Sequence, residues 1–81
     1  MSIKKVYAYE DVNDPGMGFY IAEDDVGWLA VLPLHDLSKL PEVFGRDNIF
    51  SSIKEIEIVY GRKLRPFITY DYTDGKLTQV R

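Results

Sequence analysis

Cysteine is absent from the 81 residues, which excludes a disulfide framework, a thiolate zinc site and a cysteine nucleophile. Histidine occurs once, as His35, and tryptophan once, as Trp28. No apolar run approaches the roughly 20 residues that cross a bilayer, so a membrane-spanning helix is excluded. The opening lysines are followed by Val6-Tyr7-Ala8-Tyr9-Glu10, not by the apolar stretch of a signal peptide. With no cysteine either, a cytoplasmic setting is expected. Repeats, low-complexity tracts and linkers are missing too, so residues 1–81 read as a single compact domain.

What is present is ordinary in bulk and uneven in detail. The chain is 46% hydrophobic and 28% charged, as globular proteins are, and a chain this short can bury roughly 60–70% of its unfolded surface. Six tyrosines, four phenylalanines and one tryptophan are more aromatics than a small core needs. The net charge is −3, but residues 1–42 hold three basic against eight acidic residues and residues 43–81 hold seven against five. Such asymmetry can steer a charged partner or assist self-association. Turns select Asp for local hydrogen bonding in any case, so solvated turns explain most of the acids.

Three strands are expected in the first half. Lys5–Tyr9 is aromatic and β-branched. Val12-Asn13-Asp14-Pro15-Gly16 reads as a turn cluster. Phe19–Ala22 and Trp28–Leu32 follow as two strands whose pairing register stays open between two loop lengths. Trp28-Leu29-Ala30-Val31-Leu32 is apolar without alternation, which predicts a central strand and places Trp28 in the core. Beyond Pro33, Asp36 is a suitable N-cap, and Leu37, Leu40 and Phe44 recur at helical spacing, which predicts one short helix ending at Gly45. Asp47–Ser52 could add a further helical turn.

Ile53–Tyr60 carries two contradictory signals. Ser52 followed by Glu55 fits a capping box, and Gly61 suits a helix end. Glu55-Ile56-Glu57-Ile58-Val59-Tyr60 alternates and is β-branched, as strands are. A two-residue type I′ turn at Asp74-Gly75 sets Tyr72 opposite Leu77, Asp71 opposite Thr78 and Tyr70 opposite Gln79. A hairpin at Gly61-Arg62-Lys63 would then put Ile56, Ile58 and Tyr60 on the same apolar face as Ile68, Tyr70 and Tyr72. That agreement favours a strand, with Pro66 beyond the last strand on an edge, where its missing N–H costs nothing. The expected fold is therefore α+β: a small antiparallel curved sheet in β-β-β-α-β-β-β order with one short helix.

The search for chemistry ends without a catalytic constellation. His35-Asp36 is an unremarkable loop pair, since sequence adjacency rarely gives general-base geometry. No nucleophile elbow or phosphate loop is present, and Gly16-Met17-Gly18 lacks the lysine and helix start of the latter. Glu10-Asp11-Asp14 and Glu23-Asp24-Asp25 lack the ligand spacing of a calcium loop. No catalytic, metal or cofactor site is assigned. Arg62, Lys63 and Arg65, with Phe67 beside them, form the densest basic cluster and the candidate partner-binding residues. Cations flanked by aromatics are used to grip phosphates and stack bases, but a solvated basic turn is the favoured reading. The leading expectation is a non-enzymatic protein-interaction module, a binder, inhibitor or regulatory subunit of the kind viruses and mobile elements encode. Its partner would be another protein, acidic if the basic cluster meets it, and it could form a homodimer through open sheet edges. The alternative is a nucleic-acid-binding domain using the Arg62–Arg65 hairpin.

Overall fold

The computed structural model describes residues 3–33 and 49–80. Alternating aromatic, β-branched and polar residues form the long strands β1 (Ile3–Asp11), β2 (Asp14–Asp24) and β5 (Leu64–Thr73). Shorter strands are β3 (Leu29–Pro33), β4 (Ile49–Phe50) and β6 (Lys76–Val80), and the helix α1 spans Ile53–Tyr60. All pairings are antiparallel, in the order β4-β3-β2-β1-β5-β6. The sheet is open, with β4 and β6 as its edges. The protein is thus the expected small α+β fold.

Register decides which side chains meet. Val6 pairs with Ala22 on one side and Tyr70 on the other, and Ala22 pairs in turn with Ala30. One sheet face therefore carries buried Val6, Ala22, Ala30 and Leu32, flanked by Ile3, Tyr20, Tyr70, Tyr72 and Leu77. The other carries buried Ile21, Leu29, Phe50 and Leu64, closed by Ile56 of α1. The Asp74-Gly75 turn matches expectation, with φ of 53° and 77° and Tyr72 opposite Leu77. Both residues occupy the left-handed region that a type I′ turn demands.

Several local expectations are corrected. Ile53–Tyr60 is a helix, not a strand. Ser52 Oγ accepts the Glu55 N–H at 3.2 Å, and Gly61 ends the helix at φ 66° with its N–H bonded to the Glu57 carbonyl. The alternation is real but secondary: Ile53 and Ile56, three apart, pack inward, and Tyr60, four further on and 38% exposed, sets its ring against two aromatics at the rim. Tyr60 lies 4.9 Å from the Phe19 ring and 6.2 Å from Phe50. The hairpin at Gly61-Arg62-Lys63 accordingly does not exist. The sixth strand is instead Ile49–Phe50, where a helical turn was an option, so among the described residues four strands precede the helix. The helix expected between Asp36 and Gly45, and with it His35, lies outside the described residues.

Trp28 is 44% exposed, so it is not a core residue, although Leu29, Ala30 and Leu32 beyond it are buried. Pro66 sits inside β5 opposite Tyr9. It is past the last β6 pair, as counting implied, but β1 continues alongside it. A register shift between Ala8 and Tyr9 marks a bulge there, the place a sheet tolerates proline. The turn after β1 is confined to Val12-Asn13, and Asp14-Pro15-Gly16 already belongs to β2.

Gly18 is required by close approach. A Cβ added there would collide with the Tyr9 carbonyl and come within 2.9 Å of the Glu10 Cα. Backbone cannot swing aside as a side-chain tip can. Gly18→Ala is expected to lower stability by about 1–3 kcal/mol, the usual cost of overpacking, read as a reduced urea midpoint at unchanged slope.

Candidate functional site

The junction between α1 and β5 gathers most of the residues singled out by sequence. Gly61 turns the chain, and the Glu57 side chain secures the exit: its Oε2 accepts the Leu64 N–H at 2.8 Å. The Val12 N–H bonds to the Lys63 carbonyl at 2.9 Å, tying the junction to the end of β1. Arg62 Nη1 donates to Asp11 Oδ2 at 2.7 Å, and Arg65 Nε donates to Glu10 Oε1 at 2.7 Å. Two of the three clustered cations are therefore engaged by β1 carboxylates. Lys63 makes no ion pair among the described residues.

Asp11 is buried and also accepts the Asn13 N–H at 2.9 Å. That backbone bond, with the Arg62 guanidinium, holds its carboxyl below the usual range. Asp11 thus caps its own turn and anchors Arg62 together. Phe67 is 49% exposed at the β5 bulge, away from the β6 pairings.

The sequence reading missed the apolar neighbour of this cluster. Because Ile53 and Ile56 face inward, Ile58 and Val59 face outward, with 72% and 61% of their surface exposed. Lys54, Glu57, Ile58, Gly61, Arg62 and Lys63 line one open depression of about 320 Å³. The structure therefore brings Arg62 and Lys63 beside Ile58 and leaves Arg65 and Phe67 out of that depression. The Ser52/Glu55 capping box and Gly61 were the signal that could have found the exposed pair.

No family model, curated protein or solved structure matches this chain. The site must speak through its own chemistry.

The acidic groups near β1 and β2 are occupied locally. Asp24 Oδ1 accepts the N–H groups of Val26, Gly27 and Trp28 at 2.9, 2.8 and 2.8 Å, which organises the β2–β3 loop. Burial by itself would raise this carboxyl, but the three amides outweigh it and hold it below the usual value. Glu23 accepts the Tyr7 hydroxyl at 2.9 Å; burial and that carboxylate push Tyr7 up to about 12. Among the described residues no group of three or more His, Cys, Asp or Glu is placed to hold a metal ion. None of their helices is long and apolar enough to cross a membrane.

Proposed function

We propose that this chain is a non-enzymatic protein-interaction module, a small cytoplasmic binder or regulatory subunit, whose contact surface is the outer side of α1. One observation carries the reading: Ile58 and Val59 project into solvent from a helix anchored on its other side by buried Ile56. Adjacent apolar side chains on a rigid helix lose little entropy on docking, and a helix face is a common recognition unit. Lys54 and Lys63 border Ile58, which favours a partner that is acidic around an apolar centre. The nucleic-acid reading is weaker by comparison, since phosphates would have to compete with Glu10 and Asp11 for Arg65 and Arg62.

The test is capture of a partner from the native host by the wild-type protein and by Ile58→Glu/Val59→Glu, each with and without nuclease. Both positions are exposed, so circular dichroism should stay native. We expect the captured protein to fall at least tenfold with the double variant and to be indifferent to nuclease. Unchanged capture by the variant, or capture abolished by nuclease, would overturn the assignment.

A further inference from the structure

The two edges of the sheet are unequal. β4 offers only Ile49 and Phe50, whereas β6 offers five residues, Lys76–Val80, with β5 on one side and, among the described residues, no strand on the other. The hairpin geometry fixes which backbone groups point outward. Thr73 and Lys76 flank a two-residue turn and pair directly, so they exchange ladder hydrogen bonds, and the alternation gives Asp71/Thr78 and Thr69/Val80 the same role. Leu77 and Gln79 therefore direct both N–H and C=O away from β5.

We propose that this edge pairs antiparallel with β6 of a second copy, about a two-fold axis at Thr78. In that register Leu77 faces Gln79 of the second copy and Gln79 faces its Leu77, so the four outward groups of each chain are satisfied by four hydrogen bonds. Thr78 meets Thr78 on the axis, a favourable β-branched pair. Lys76, the only charged residue of β6, lies opposite Val80, and the two lysines stand about 13 Å apart at strand spacing. No carboxylate lies on the edge strand itself; Asp71, opposite Thr78 on β5, stands one strand back from the axis. The apolar face continues across it, because Leu77 and Tyr72 of each copy already pack on the Val6 cluster. Self-complementarity of this kind defines a closed dimer, not an open fibre. The surface is distinct from the outer side of α1, so the two proposals fail independently.

Sedimentation velocity on the full chain tests it, together with amide hydrogen exchange. Wild type should sediment at twice the 9.4 kDa protomer mass, with the Leu77 and Gln79 amides more slowly exchanging as concentration rises. Gln79→Pro removes an outward donor without touching a bond to β5, and should give a monomer with native circular dichroism. Thr78→Glu puts like charges on the axis, beside Asp71 of each β5, and should weaken the dimer at least tenfold, more so at low salt. Should one variant fold poorly, the other decides. A wild-type monomer at half-millimolar concentration, or a dimer indifferent to the folded variants, would overturn the proposal.

Discussion

Ile56→Ala is expected to cost about 2–5 kcal/mol, the usual price of emptying a fully buried aliphatic site. Ile56 has no exposed surface and lies between Ile21, Leu29, Phe50 and Leu64. It is the only fully buried residue of α1, so no neighbouring helical side chain can fill the cavity. A domain of this size has roughly 4–12 kcal/mol of stability in total. The substitution should remove a large share of that, read as a drop of more than 10 °C in the melting midpoint. Ile58→Ala, one residue pair away and exposed, should shift it by little. Equal shifts for the two would mean that α1 does not pack as described.

Asp24→Ala should be the next most damaging change, at about 2–3 kcal/mol, because three amides lose a charged acceptor at once. The full sum of three lost bonds is not expected, since Val26 and Gly27 sit in an exposed loop that water can reach. Asp24→Asn retains an acceptor oxygen and should cost less. The two variants also differ from wild type in acid. Folding lowers this carboxyl below its ordinary value of 3.8, so its contribution is whole above that value and is lost as pH falls through the folded value. Between pH 5 and pH 2.5 the wild-type urea midpoint should therefore fall more steeply than that of Asp24→Asn. Asp11, depressed in the same sense, keeps part of the slope in both variants. Parallel slopes in wild type and Asp24→Asn would refute the role assigned to Asp24.

The β5–β6 hairpin is legible in the sequence, and the reason is local. Asp74-Gly75 determines a turn type, the turn type determines a register, and the register determines which tyrosines share a face. The helix is harder to read because its signals are divided between ends and middle. Ser52, Glu55 and Gly61 speak through backbone hydrogen bonds at the termini, while the middle alternates as a strand would. Period two and period 3.6 overlap over a segment of eight residues, so caps were the better guide. Trp28 was misjudged for another reason. Continuity of an apolar run reports burial of a strand, but Trp28 belongs to the loop that Asp24 holds, just before β3 begins. The candidate site was half legible. Composition found Arg62, Lys63, Arg65 and Phe67, but the carboxylates that occupy two of those cations lie 51 and 55 positions away in the chain, beyond any local pattern.

That separation bears on how the molecule comes to exist at all. β1 is paired on one flank with β2, its immediate successor, and on the other with β5, from the far side of the helix. A growing chain can zip the β1–β2 hairpin early, since only a short loop has to close. The opposite flank of β1 must stand open until residues 64–73 have been made. During that interval Val6 and Ala8 belong to a bare edge, the condition under which strands recruit the wrong neighbour. The arginines that follow α1 reach the β1 acids as the β1–β5 ladder closes, so charge attraction acts on the most long-range pairing of β1. Synthesis rate and chaperone access should accordingly govern the yield of this protein more than its final stability does.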